Sequence, residues 1–458
     1  MTQLFKNLKL LQQTTAFLCL VVIGLSFSGQ AQALPSFARQ TGMACTTCHT
    51  QAFGPNLTSY GRQFKLNGYT WGQNESYLSR FGGMAMGSLT NTKKDDSDLA
   101  ETTGKALATH NSNNNIALDE ASIFYGGKVW EKLGALVQFT YDGIGNRFSL
   151  DNTDIRAAND AELLGQDLVY GVSFNNNPTV QDLWNTTPAW GFPYVGSSLT
   201  RTPDASPMIA NLGGQVGGAT LYSMINDTLL VEAGAYTSFA KYAQKGMGQW
   251  DGGAVKLNGG APYWRIALQK DWKGHYVSLG HFGFRSDIQP DPTSTVTNRY
   301  TDLGVDFNYQ YTANPAHIYE LKASYIREQQ QLMATYANEG ADRLNQQLGF
   351  IGVNGSYTYD QTYGLGLGYN YNHGNRDSTL NSYSINARPN SQYFTSEIYY
   401  VPFGKTASTG LPTYMNLKLS LQYVAYTQFD GAIKNYDGES GRNASDNNTL
   451  YFNTWLSF

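Results

Sequence analysis

The chain has 458 residues with 14% charged and 14% aromatic side chains, 48 Gly and 32 Tyr, a balance unusual for a soluble enzyme and suited to many strands with aromatic girdles. Its net charge of -4 gives no electrostatic footprint for nucleic acid. Of the three cysteines, Cys19 falls in the leader described next, so no disulfide framework beyond Cys45 and Cys48 is available to the rest of the chain.

Residues 1–33 read as a secretory signal peptide. Lys6 and Lys9 form the basic start, Ala16 to Phe27 the apolar core, and Ala31-Gln32-Ala33 the cleavage site, which leaves Leu34 first. Bulky Phe17 and Leu18 before Cys19 argue against lipidation there. No later apolar run reaches 18 residues, so any membrane span must be a closed β-barrel.

Residues 34–76 form a short segment built on Cys45-Thr46-Thr47-Cys48-His49. Cys-x-x-Cys-His is the pattern for covalent attachment of one c-type haem, with thioethers from Cys45 and Cys48 and His49 as proximal iron ligand. The competing readings are a thioredoxin-like redox pair and half a zinc site. The first lacks its βαβ context, and the second lacks further ligands at local spacing. So short a segment cannot bury a sizeable core alone and must pack on its cofactor and on something else, for which a barrel lumen is the natural candidate.

From residue 77 to 458 the pattern changes to period-two alternation, as expected of an all-β, antiparallel outer-membrane barrel. Clear strands are Leu133–Ile144, Thr228–Phe239, Tyr263–Trp272, Tyr276–Asp287, Thr301–Tyr311, Ile318–Arg327, Gly349–Tyr359 and Tyr363–Asn372. Asn226-Asp227, Lys273-Gly274 and Asp360-Gln361 read as tight periplasmic turns, and 312–316 is short. The connections near 241–257, 288–299, 330–345, 374–386 and 430–447 read as long outer loops. The last strand ends the chain on Phe458, as barrels present themselves for assembly. Fifteen strands can be marked, four before Asn177 and eleven after Met208. The direction of the turns requires one more between Asn177 and Pro207, for sixteen. Residues 175–194, with three prolines and two tryptophans, do not alternate. They read first as a surface loop, and otherwise as a segment folded into the lumen against the haem segment.

Phe37-Ala38-Arg39-Gln40-Thr41-Gly42, the haem motif, and Tyr60-Gly61-Arg62-Gln63-Phe64-Lys65-Leu66-Asn67-Gly68-Tyr69 together resemble the fused monohaem cytochrome–porins, the outer-membrane iron-oxidising cytochromes c. The match of motifs covers residues 37–69. The resemblance implies an Fe(II)-oxidising electron-transfer protein of the bacterial outer membrane, with its haem in the lumen or at the periplasmic mouth. It would deliver electrons to a periplasmic cytochrome or other carrier. The alternative is a haem-containing porin or a conduit for another donor. Methionine opposite histidine raises a haem potential, which suits so weak a reductant as Fe(II). Met43 lies too near Cys45 to reach the far face. Met84 and Met86 are candidates on a phase opposite Phe81, Ala85 and Leu89, and His281, in phase with Arg285, is another. Asp95, Asp96, Asp98 and Glu101 read as a solvated acidic loop that could also attract Fe(II).

Overall fold

In the computed structural model, residues 35–73, 77–95, 108–111, 113–249, 255–290, 295–405 and 415–458 are described. The leader, Asp96, Asp98, Glu101 and the loop position Pro292 lie outside them. The strands form one antiparallel sheet of 18 strands. Two of these, Ala108–Asn111 and Lys256–Leu257, are loop-edge pieces, which leaves sixteen in the wall. In chain order these are β1 (Phe81–Thr92), β2 (Asn114–Trp130), β3 (Leu133–Asp142), β4 (Arg147–Leu163), β5 (Gln166–Asn175), β6 (Val216–Ile225), β7 (Leu229–Ser238) and β8 (Ala261–Trp272). They continue as β9 (His275–Gln289), β10 (Asn298–Tyr311), β11 (His317–Gln331), β12 (Asn345–Tyr359), β13 (Tyr363–Gly374), β14 (Ser391–Tyr400), β15 (Asn416–Gln428) and β16 (Thr449–Ser457).

Neighbours in sequence pair with one another, and β1 pairs with β16 from Met84↔Ser457 to Thr92↔Thr449, which closes the barrel and leaves no edge. Alternation then sorts the side chains. Leu221, Ile266, Leu268, Leu279 and Ile398 point outward and are at least half exposed, as a lipid-facing surface requires. Arg265, Asp302, Asp306, Asn308, Glu320 and Lys322 are buried on the inner face. Near the short turns the outer surface carries an aromatic belt, with Tyr319 stacked on Tyr357 at 5.0 Å and Tyr363 on Tyr400 at 5.1 Å.

Asn226-Asp227 and Asp360-Gln361 hold positive φ at both central residues, the two-residue hairpin geometry that matches strand twist. Lys273-Gly274 and Leu164-Gly165 do the same. The connections after β1, β5, β7, β9, β11, β13 and β15 emerge at the opposite end, whereas the fifteen-residue β14–β15 connection, described at 401–405 and 415, starts and ends on the short-turn side.

The count of sixteen stands, but its composition differs from expectation. Five strands, not four, precede Asn177, and residues 177–207 contain no strand. Two irregularities hide the fifth strand from a period-two reading. The β1–β2 register shifts after Met86, leaving Asp119 unpaired, and the β3–β4 register shifts between Val137 and Phe139. Each bulge moves the inward phase by one residue, so the polar strands β2 and β4 lose their alternation midway.

Candidate functional site

The Cys-x-x-Cys-His stretch forms a four-residue helix, α2 (Cys45–Cys48), after α1 (Pro35–Thr41). The His49 amide closes it by donating to the Cys45 carbonyl at 2.9 Å, and His49 then pairs with Leu57. Thr58 ties the turn to α3 (Ser59–Leu66). Its amide donates to the Cys48 carbonyl at 2.9 Å, and its hydroxyl accepts from the Gly61 amide at 3.2 Å as the helix N-cap. A Cβ at Gly61 would collide with the Cys48 carbonyl oxygen, so glycine lets α3 lie directly on the motif.

The whole segment sits inside the barrel towards the short-turn end. Ser59 donates to Asp271 at 2.7 Å, Arg62 to Gln310 at 2.8 Å and Thr50 to Glu320 at 3.2 Å. From other parts of the wall, Asn416 donates to the Ala52 carbonyl at 2.8 Å and Tyr222 to that of Leu66 at 2.7 Å. The flanking aromatics make its core. Phe37 stacks on Tyr69 at 5.3 Å and meets Phe64 edge-on at 5.1 Å, with Met84, Met86, Phe124 and Leu136 packed around them.

Residues 176–207 fold inward as well, so the surface-loop reading gives way to the other. Val180, Leu183 and Trp184 are buried, and Lys65 of α3 donates to the Val180 carbonyl (2.7 Å), the Asp182 carbonyl (2.6 Å) and Asn185 Oδ1 (3.0 Å). Asp182 caps this turn by accepting from the amides of Trp184, Thr186 and Thr187. Its carboxylate lies 3.2 Å from Arg265 of β8, which also binds Asp306 at 2.8 Å. Buried polar groups of this kind are satisfied only because segments far apart in sequence supply the partners.

Between segment and wall lies a cavity of about 390 Å³, within the range of about 300–1,000 Å³ usual for small-molecule and cofactor sites. Cys45, Cys48 and His49 line it, and so do Met84 and Met86, which the structure brings to the motif from β1. Met43 lines it too but is 40% exposed. Phe64, Phe124, Leu136, Trp190, Tyr194 and Trp455 make most of the remaining surface apolar or aromatic. Both cysteines are free thiols. Burial, reinforced by the nearby Cys45, pushes the Cys48 thiol up to about 12. Burial, opposed by the neighbouring backbone of Asn56 and Gly54, pushes the His49 imidazole down to about 4. His49 therefore stays neutral with a lone pair to give, while its buried Nδ1 has no hydrogen-bond partner. Two thiols, a neutral imidazole and thioethers around one apolar cavity form a donor set suited to iron porphyrin.

His281 is not part of this set. It lies on the outward phase of β9 beside Leu279, where it accepts from the Trp264 indole at 3.3 Å. Its phase partner Arg285 is exposed on the outer face near the long-loop rim, so a charge there marks the interface and not the lumen. Asp95 is exposed, and its carbonyl accepts from Arg442 at 2.7 Å. Sequence reasoning did not find Lys65, Trp190 and Tyr194 as contributors. Only the break in alternation over 175–194 signalled that this stretch was unlike the other loops.

Barrel closure, the polar inner face and the lipid-facing exterior define a porin-like outer-membrane β-barrel. No protein-family model and no curated protein matches the chain. Among solved structures it is similar to the trimer form of OmpT, an outer membrane protein of Vibrio cholerae, at 12% identity and TM-score 0.45 over 82% of this chain and 98% of that one. It is similar at 9% identity and TM-score 0.45 to an anion-selective porin from Comamonas acidovorans, over 82% and 98% of the two chains. Salmonella typhi OmpF in complex with daunomycin gives 14% identity and TM-score 0.45, over 82% and 97%.

Proposed function

We propose that the chain is an outer-membrane electron-transfer protein that holds one haem c through Cys45 and Cys48, takes electrons from extracellular Fe(II) and passes them to a periplasmic carrier. The observation that carries this reading is the convergence of Cys45, Cys48, His49, Met84 and Met86 on one cavity inside the barrel. A haem bound there supplies a one-electron redox centre whose potential a methionine opposite histidine would raise.

The chain's own groups favour this over a redox dithiol. A thiol held up to about 12 contributes little thiolate for disulfide exchange, whereas thioether formation during export does not depend on the folded environment. His49 is held neutral, with a lone pair that would bind iron, and Met84 or Met86 of β1, on the same cavity, would supply a further ligand. The barrel wall keeps lipid from the cavity. A barrel's apolar band is about 25 Å tall, more than one haem spans, so donor and acceptor must approach from opposite ends.

The test is anaerobic addition of Fe(II) to the oxidised, detergent-purified protein, followed by its visible spectrum. Reduction of the haem bands is expected. A haem that dithionite reduces and Fe(II) leaves oxidised would overturn the iron assignment and leave a haem-bearing barrel serving another donor.

A further inference from the structure

A second cavity, of about 440 Å³, lies in the same lumen towards the long-loop end. Its wall comes from the loop-side halves of β11 to β16, including Phe350, Tyr393, Thr395, Tyr426 and Tyr451. Its floor is the inward-folded segment, and residues 188–196 separate the two cavities. Pro188, Pro193 and Gly196 face the outer one, while Trp190, Tyr194 and Val195 face the inner. The floor is pinned to the wall by Gln422, which donates to the Val195 carbonyl at 3.1 Å, and by Asn372, which donates to that of Ala205 at 3.0 Å.

The chemistry of this chamber is distinct from that of the rest of the lumen. No carboxylate, ammonium, guanidinium or imidazole is among its lining residues, although the inner face elsewhere is dense with them. A charged solute entering it would lose hydration without gaining a partner. Tyr393 and Tyr426 pack at 5.2 Å and, with Phe350 and four prolines, offer apolar and aromatic surface. Hydroxyls and amides stand between them. Thr395 is 1% exposed, faces inward and has a hydroxyl with no hydrogen-bond partner. A buried hydroxyl left unpaired costs free energy that a ligand's own hydroxyl would recover. Mostly apolar walls with a few placed polar groups are what a small-molecule site requires, and the volume lies in the range of about 300–1,000 Å³ for such sites.

We infer that this outer chamber binds an uncharged, hydroxyl-bearing six-membered ring compound that enters from the long-loop side. Two sources share this chemistry, a hydroquinone-type reductant and a neutral sugar. The inference does not rest on the haem reading, because the chamber is built from the wall and residues of the 188–210 segment.

The test is calorimetric titration of the full-length protein in detergent with hydroquinone, methyl glucoside and, as a charged counterpart, hydroquinone sulfonate. One saturable site is expected for hydroquinone or for methyl glucoside, and whichever binds identifies the source. The sulfonate should bind at least about tenfold more weakly than hydroquinone if hydroquinone is the ligand, and not at all if the sugar is. Thr395→Val should weaken binding about tenfold, the worth of one hydrogen bond. Gly352→Leu should abolish it, because Gly352 lines the chamber and a Cβ there meets nothing closer than Ser324 Oγ at 3.3 Å, so the added side chain fills the space. Retained heat-modifiability on gels shows that each variant is a folded barrel. Absence of binding by both neutral probes, equal binding of the sulfonate, or unchanged binding in both folded variants would overturn the inference.

Discussion

Met84 and Met86 are 7% and 6% exposed on a strand whose other phase, at Phe81 and Leu89, is 48% exposed. A side chain on the inner phase can be shortened without touching lipid, so Met84→Ala and Met86→Ala should both leave a folded barrel. If one of them is the sixth ligand, its loss should remove the sulfur-to-iron charge-transfer band and lower the potential. Retention of both features in the double variant would exclude the pair. Asp182 bears a different load, since it holds Arg265 and three amides in a dry interior. Asp182→Ala should cost about 1–3 kcal/mol for each amide it leaves unpaired in denaturant unfolding, while Arg265 keeps its pairing with Asp306. Lys65 gives a pH test. Burial, aided by Arg156, holds it down to about 7 against 10.5 when unfolded. The unfolded chain therefore binds the extra proton between pH 7 and 10.5, and the contribution of Lys65 to stability rises with pH across that window. Below pH 7 its burial penalty applies in full. Lys65→Met should flatten the slope while leaving the Asp182 carbonyl and Asn185 Oδ1 without its ammonium, at about 1–3 kcal/mol each, the Val180 carbonyl keeping the Trp190 indole.

At the scale of elements, the strands were legible where one face meets lipid and the other a polar lumen, because alternation then survives over the whole length, as in β8 to β13. The tight turns were legible from Asn226-Asp227, Lys273-Gly274 and Asp360-Gln361. The bulges at Asp119 and opposite Gln138 were not, since nothing local marks a shift of register. The inward fold of residues 176–207 was half legible. Its lack of alternation showed, but its polar groups are satisfied by Lys65, Arg265 and Lys322, whose proximity is purely tertiary. His281 faces outward with Arg285, because a charged side chain near the long-loop rim stands at the membrane interface as readily as in the lumen. Replacing residues 178–206 with a short Gly/Ser linker should leave the barrel intact and raise its single-channel conductance severalfold in planar bilayers, as removal of a lumen-filling segment predicts. Unchanged conductance would mean that this segment does not limit passage.

For the whole molecule, the even strand number places both ends of the barrel on the short-turn side. Epitope tags near Gly246 and Asp437 should label on intact cells, and tags near Asp227, Gly274 and Gln361 only after the outer membrane is opened. The closed barrel explains how a chain with so few apolar runs can cross a membrane, and the inward-folded segments explain how its lumen comes to hold a cysteine–histidine motif against two methionines. Covalent haem on Cys45 and Cys48 is the property from which the electron-transfer reading follows. Acidified-acetone extraction of the denatured, full-length protein, followed by intact mass, tests it most directly. One haem per chain that stays with the polypeptide, and is lost or weakened in Cys48→Ala, is the predicted result. Haem released into the solvent, or a chain exported with two free thiols and no added mass, would contradict it.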